Sequence, residues 1–497
     1  MENPIARTAE PRLAPTKLKR ILLWCFLLLP AFTYFGWRGP AHAIRLRGLN
    51  DFTSPFVQTK AWLRGLDPYD PRVVVELWPA DAVRPQFLWP EAQDGSLAFR
   101  RGIPSPYPLP AFPLLVPLAL ITWRAAILIW IGVCMIAFAY TVRGSLAFAR
   151  IPCWSIKGGA IAICALLFSP FHTSIAAANI VVPVLALGVL SCLWVEKNFV
   201  LWPGLLLAAA VALKPNVAPC FVLYLAAEKK WRTIAVAVAA GVALFLIADA
   251  RLLLAGVHPA ASYLLNSHRM FAPGAIDDYS SANPLRFDLL NLQVVFFQLF
   301  RNRTLAQVLS WLSFLGLLAC WTLSRFGQKA PKVGLLDMAI LATLVLLPVY
   351  HRFTDGCLLL FPFAWAITEF NGRLKSIARL TLLLASFFVV PGAALLRSLA
   401  SSNSRVGALS QTWWWQSLVA PHQVWIILAI AVLTLTAQGQ TARQSALTKG
   451  IGDIPDRRSD FPDFGAKGLY GSLVSVTLLP RHIPCPQVPP AYKRSSW

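Results

Sequence analysis

Apolar runs of membrane length recur along the chain from residue 21 to residue 437, separated by short polar turns and two long polar loops. The first run, residues 21–37, reads "ILLWCFLLLPAFTYFGW" and follows five basic residues, Arg7, Arg12, Lys17, Lys19 and Arg20. No small-residue cleavage site follows it, so the run is read as an uncleaved first span with a cytoplasmic N-terminus over residues 1–20. Further apolar segments fall near 106–122, 125–142, 158–170, 179–195, 199–213, 216–227 and 232–249. After the second long loop come 305–323, 334–350, 355–370, 377–397 and 420–437. In lipid such runs must be helices, because each backbone polar group has to be satisfied inside its own segment. The pattern predicts an all-α polytopic membrane protein.

Orientation follows from the turns. "EKKWR" (228–232), "SRFGQKAPK" (324–332) and "NGRLK" (371–375) are short and basic, which assigns them to the cytoplasm. Counting outward from them puts the first loop (38–105), Lys214, the second loop (250–304) and "YHRFTDG" (350–356) on the outer face. The runs are odd in number, whereas a tail on the same side as the N-terminus requires an even one. One segment between 107 and 180 is therefore expected not to cross, leaving about twelve spans. The helical domain covers 21–437. The tail, 438–497, is rich in Gly, Pro, Ser and charge and reads as disordered and cytoplasmic.

Composition agrees with that picture and removes two others. The 497-residue chain is 57% hydrophobic and 13% charged, far more apolar than a soluble domain needs. Its net charge of +23 sits mostly in loops, where inside-positive topology and anionic headgroups account for it, so nucleic acid is not an expected partner. Of nine cysteines, Cys25, Cys134, Cys164, Cys192, Cys220 and Cys320 lie within apolar runs and read as small buried hydrophobes rather than disulfide partners. A glycine-rich phosphate loop and a clustered metal-ligand motif are both missing from the sequence, so no cofactor and no metal are expected.

Candidate chemistry gathers on the predicted outer face. Asp51 stands where the first span leaves the membrane, within reach of a water-borne substrate and of a group held in the bilayer. In "DFTSPFVQTKAWLRGLDPYD", Ser54 and Pro55 read as N-cap and first position of a short interfacial helix that Gly65 stops. Phe56, Trp62 and Leu63 would face lipid, with Lys60 and Arg64, one turn apart, free for an anion. Asp67 reads as a turn former and Asp70 as solvent-facing. "ALKPN" puts Lys214 between two short apolar segments, the second opened by Pro215, as in helices broken around a site. "PVYHRFTDG" sets His351, Arg352 and Asp355 between two spans, a sensible anion site. Each has a plainer alternative: a solvated or capping Asp51, a snorkelling Lys214, a structural Arg352–Asp355 pair. The second loop carries His258, His268, Arg269, Asp277 and Asp278, then Leu285, Leu289, Leu292 and Phe296 at helical spacing, a pattern for a lid ending in an interfacial helix or for plain packing.

Taken together, these stretches resemble glycosyltransferase family 87, the polyprenyl-phosphate-mannose-dependent mannosyltransferase group of the GT-C superfamily. The likeness runs, in order over residues 20–435, through an Asp soon after the first span, "AWLRGLDPYD", "YPLPAFPLLVPLAL", "NIVVPVLALGVL", "GLLLAAAVALKPN", "EKKWR" and "YHRFTDG". It implies a GT-C-like bundle that moves a hexose, mannose above all, from a polyprenyl-phosphate donor to a glycan or glycolipid hydroxyl. Transfer would invert the anomeric centre at the outer face of a bacterial plasma membrane. Asp51 matches the family's base by position, and Lys214, His351 and Arg352 match positions near the donor phosphate. Where the family reads "GQ" before an asparagine, this chain reads "AAAN", ending at Asn179, so the family's sugar and acceptor preference does not carry over directly. Lys60, Arg64, Asp355, Asn179, His268 and Arg269 complete the candidates. The rivals are a secondary transporter or lipid flippase, which would place charge near mid-bilayer in related halves, and a non-catalytic scaffold.

Overall fold

A computed structural model describes residues 15–45, 51–82, 107–326 and 334–452. Every regular element among them is helical, and one isolated bridge, Leu289 with Arg352, is the nearest thing to a strand. By contacts the chain divides after Leu447; of the second unit, Thr448–Trp497, only the helical residues to Gly452 are described, and the expected tail beyond them lies outside the described residues, as do residues 1–14 and 83–106.

The first run forms α1 (Pro15–Gly36), which passes through a π-helical turn, Trp37–Ala41, into the one-turn α2 (His42–Arg45). Then come α3 (Thr53–Leu63), α4 (Pro71–Glu76) and α5 (Ala111–Ala119). The middle of the chain holds α6 (Trp123–Phe148), α7 (Ile156–Leu167), α8 (Ser169–Ala176), α9 (Val181–Val195), α10 (Leu201–Leu213), α11 (Pro219–Ala227) and α12 (Trp231–Leu253). After these lie α13 (Ala260–Met270), α14 (Leu292–Phe300), α15 (Arg303–Phe326), α16 (Leu335–Val345) and α17 (Leu360–Thr368). The described region ends with α18 (Lys375–Ser386), α19 (Gly392–Ser402), α20 (Ser404–Ser410) and α21 (His422–Gly452), the last running past the expected boundary at Ala437.

Four of these, α6, α12, α15 and α21, are long and apolar enough to cross a membrane. The number rises to six if the bent pairs α7–α8 (47°) and Lys375–Val389 with α19 (54°) each count as one span. About twelve spans is therefore not what the described residues show. The difference has a physical reason: α9, α10 and α16 are apolar but 15, 13 and 11 residues long, about 16–23 Å of helix against a hydrocarbon core of about 30 Å. Most of α9 and ten of the eleven residues of α16 are buried, so their apolar character serves the protein's own core. Between 107 and 180 the nine-residue α5 is far too short to cross.

Several local expectations change. The short helix after Asp51 starts at Thr53, one residue before Ser54, and Ser54 caps nothing. Gly65 does stop it, at φ +70°, a left-handed conformation that glycine adopts without strain. Phe56 and Trp62 do not face lipid. They are 1% and 6% exposed, with the Trp62 indole N–H donating to the Ala248 carbonyl on α12 at 2.8 Å, so α3 is a packed element. Asp67 accepts the Tyr69 N–H at 2.9 Å, the expected turn, but Asp70 caps α4 through the Arg72 N–H rather than standing free in solvent. Past Lys214 the next helix opens at Pro219, not Pro215. The helix expected from Leu285 begins only at Leu292, with Leu289 and Leu292 each 1% exposed and inside the fold. Cys134, Cys192 and Cys220 are buried as expected, whereas Cys25 and Cys320 point outward.

Candidate active site

Asp51 is set in place by its neighbours. The next side chain, Phe52, stacks on Trp130 of α6 (centroids 4.5 Å apart, 11° between planes), and the Asp51 N–H donates to the Ala177 carbonyl at 2.6 Å. Trp130 in turn donates its indole N–H to the Ala178 carbonyl at 2.9 Å. Ala178 sits at φ +51°, a left-handed conformation a side-chain-bearing residue rarely adopts, and that turn presents Asn179. Asn179 is 6% exposed; its Nδ2 donates to Asp51 Oδ2 at 2.6 Å, while its Oδ1 accepts the Val181 N–H at the start of α9.

The polar chain continues. Lys214, the C-cap of α10, lies with Nζ 3.4 Å from Asn179 Oδ1 and in direct contact with Asp355 Oδ1. Asp355 is 1% exposed on the 3-10 turn Phe353–Leu359. Its Oδ2 meets His351 Nδ1 at 3.0 Å and accepts the Arg352 N–H at 3.4 Å. His351 is fully buried and its Nε2 has no partner among the described residues. Four breaks between helices thus bring Asp51, Asn179, Lys214, Asp355 and His351 into one connected line. Breaks are where the sequence concentrates polar groups, because irregular backbone inside an apolar bundle needs them for satisfaction.

Arg352 does not pair with the Asp355 carboxylate. Its guanidinium reaches the other way: Nε donates to the Tyr350 hydroxyl at 2.6 Å and an Nη donates to Asp277 Oδ1 at 3.1 Å. Burial pulls the Arg352 pKa down, but Tyr350, Asp277 and Asp51 outweigh it, so the group is held above its ordinary value and stays a cation. For Asp277, burial pushes the carboxyl up while Arg352 pulls the other way. Burial, with Asp51 and Asp355 nearby, also pushes the Tyr107 phenol well up, against an opposing Arg352. Tyr107 therefore remains a protonated phenol within electrostatic range of both carboxylates and the guanidinium.

Asp51 itself is exposed, whereas Asp355 and His351 are sealed beneath it. An accessible carboxylate joined through Asn179 to Lys214, with Arg352 and the neutral Tyr107 phenol within electrostatic range, can take a proton from a substrate hydroxyl and has cations at hand for an anion. Among the described residues no group of His, Cys, Asp and Glu side chains is arranged to hold a metal.

Of the sequence candidates, Asp51, Asn179, Lys214, His351 and Asp355 meet through side-chain contacts, and Arg352 joins them through its backbone N–H and its charge. Lys60 and Arg64 do not meet them: Lys60 lies over the Phe56 ring at 4.6 Å, and burial first, then Arg64, lowers its pKa. His268 and Arg269 end α13 exposed, with no side-chain hydrogen bond to the site among the described residues. Sequence reasoning missed Tyr107, Tyr350 and the pairing role of Asp277. The first two stood inside quoted stretches, "YPLPAFP" and "VYHRFTDG", where the charged neighbours drew attention from the phenols.

Residues 106–348 match the family model of glycosyltransferase family 87. The match takes in Tyr107, Asn179, Lys214 and Asp277; Asp51 lies before it and His351 just beyond it. No curated protein and no solved structure matches the chain. The family read from the motifs is the one whose model fits, over just under half of the chain, and the activity that this family implies is that of a membrane glycosyltransferase.

Proposed function

We propose that the protein transfers a hexose, mannose or a close relative, from a polyprenyl-phosphate donor to a hydroxyl of a glycan or glycolipid acceptor on the outer membrane face, with inversion. The observation that carries this reading is the line from exposed Asp51 through Asn179 to Lys214, which puts a base and a cation on either side of one amide. Asp51 takes the proton of the attacking hydroxyl as its oxygen bonds to the anomeric carbon. The bond from that carbon to the phosphate oxygen breaks, and the polyprenyl phosphate leaves with one more negative charge. Lys214 and Arg352 are the cations that meet that charge. His351 acts one layer back, since its Nδ1 is spent on Asp355 and its ring is buried. A monophosphate leaving group is within the reach of such side chains alone.

Nothing among the described residues or in the family match favours the transporter reading. The test is transfer of label from polyprenyl-phosphate hexoses, phosphomannose first, in membranes carrying wild type or Asp51→Asn. Transfer should fall by about 100-fold or more in the variant. Equal transfer by both proteins would remove Asp51 from the mechanism, and no transfer by wild type from any such donor would remove the donor class.

A further inference from the structure

Two arginines outside the Asp51 line meet without a counter-charge. Arg286, on the 3-10 turn Arg286–Asp288, is 9% exposed. One Nη donates to the Asn283 carbonyl at 3.0 Å, the other lies 3.5 Å from Gln416 Oε1, and Nε has no partner among the described residues. Arg301, the exposed left-handed residue after α14, brings an Nη to the same Gln416 oxygen, also at 3.5 Å. Gln416 sits on a π-helical turn, Trp415–Val419, and turns its oxygen to the arginines while its Nε2 donates to the Ser410 carbonyl at 3.3 Å. Neither guanidinium forms an ion pair among the described residues, although Asp278 and Asp288 nearby are paired with Arg303 and Arg397.

A neutral amide oxygen shared by two cations is a poor partner for a buried guanidinium, which loses hydration without gaining an opposite charge. Burial and the adjacent Arg301 both depress Arg286, with only Asp278 acting against them. Trp413, Trp414, Leu418, Phe300 and Leu285 stand exposed beside the pair, a mixture of aromatic and aliphatic side chains that suits a membrane–water boundary.

We propose that Arg286 and Arg301, meeting over Gln416, form a subsite for a phosphate group presented at the membrane surface. Two guanidinium forks converging on one point match a tetrahedral phosphate oxygen set, and the neighbouring Trp side chains match the glycerol level of a lipid. The subsite does not depend on the sugar-transfer reading.

The experiment uses the full chain in nanodiscs of phosphatidylcholine with or without phosphatidylglycerol, and in parallel with inorganic phosphate. It reads the thermal midpoint and, by native mass spectrometry, the retained lipid. Arg301→Gln is the main variant because Arg301 is exposed; Arg286→Gln is the second, and Lys197→Gln is an exposed control. Phosphatidylglycerol should raise the midpoint and remain bound to wild type and to the control, with affinity about tenfold or more lower in Arg301→Gln. Response to the lipid alone assigns the phosphate to a headgroup, and an equal response to inorganic phosphate, lost in Arg301→Gln, assigns it to the free ion. Identical responses of wild type and Arg301→Gln, or stabilisation by phosphatidylcholine equal to that by phosphatidylglycerol, would overturn the proposal.

Discussion

Asn179 donates its side-chain N–H to Asp51 across 2.6 Å while its amide oxygen faces Lys214 at 3.4 Å. One amide therefore engages one carboxylate oxygen of Asp51 and stands between that carboxylate and the Lys214 ammonium. Asn179→Ala removes both restraints. Sugar transfer should fall about tenfold or more with a smaller effect on the thermal midpoint, because the Val181 N–H loses its acceptor while the turn is still held by the Asn179 N–H on the Ser174 carbonyl, the Asp51 N–H on the Ala177 carbonyl and the Trp130 indole on the Ala178 carbonyl. Asn179→Asp is the sharper variant: it sets a second carboxylate against Asp51, drawing Lys214 toward itself, and transfer should move to a different pH range. An Asn179→Ala enzyme as fast as wild type would show that the amide only packs.

Tyr107 stands close enough to Asp51, Asp355 and Arg352 for all three to act on its phenol, which stays protonated. Tyr107→Phe deletes one O–H and leaves the ring. If the hydroxyl donates to the substrate or to the leaving phosphate, turnover should drop about tenfold at unchanged stability. The measurement is initial-rate transfer alongside a melt of the purified protein; a variant that loses stability and rate in proportion would make the phenol a structural group.

How much of this was legible in the sequence depends on what each residue does. Asp51, Asn179, Lys214, His351, Arg352 and Asp355 could be found because charge and amide groups are costly inside an apolar bundle, so those that remain stand at helix breaks. Tyr107 and Tyr350 could not, since a tyrosine in a membrane protein is ordinary at any depth. Lys60 and Arg64 were read from their one-turn spacing, but the rotation of α3 is decided by where Phe56 and Trp62 pack, which is a tertiary fact. The pairing of Arg352 with Asp277 rather than with Asp355 is likewise set by the distant loop that lies over it. The count of about twelve spans is not confirmed among the described residues for a related reason: α9 and α16 are apolar and largely packed inside the protein, and hydropathy does not distinguish that from lipid.

Asp355 joins Lys214 to His351 at almost no exposure. Replacing it with Ala leaves a largely buried ammonium and a fully buried imidazole without their shared carboxylate. The expected cost is about 3–5 kcal/mol, the range for breaking a buried pair from one side. Asp355→Asn keeps the volume and one acceptor and should cost less, while still slowing transfer because Lys214 is no longer held. Thermal unfolding of the two variants in detergent checks the order; equal midpoints for Ala, Asn and wild type would mean that the pair adds nothing to the fold.

Packing around the site offers a prediction that does not pass through chemistry at all. A Cβ on Gly188 of α9 would come within 2.2 Å of the Phe221 ring on α11, and all three of its nearest atoms belong to that ring. Phe221 is fully buried and stacks edge-on against Phe361, so the ring has nowhere to swing. Gly188→Ala should therefore destabilise the protein by about 1–3 kcal/mol. Because α9 begins just after Asn179 and α11 just after Lys214, pushing the two helices apart should also slow sugar transfer. Gly132 of α6 is the control, with open space where its Cβ would go; Gly132→Ala should be neutral or stabilising, by up to about 1 kcal/mol from helix propensity. Melting both variants side by side decides it: if Gly188→Ala melts no lower than Gly132→Ala, the close contact between α9 and α11 is not there.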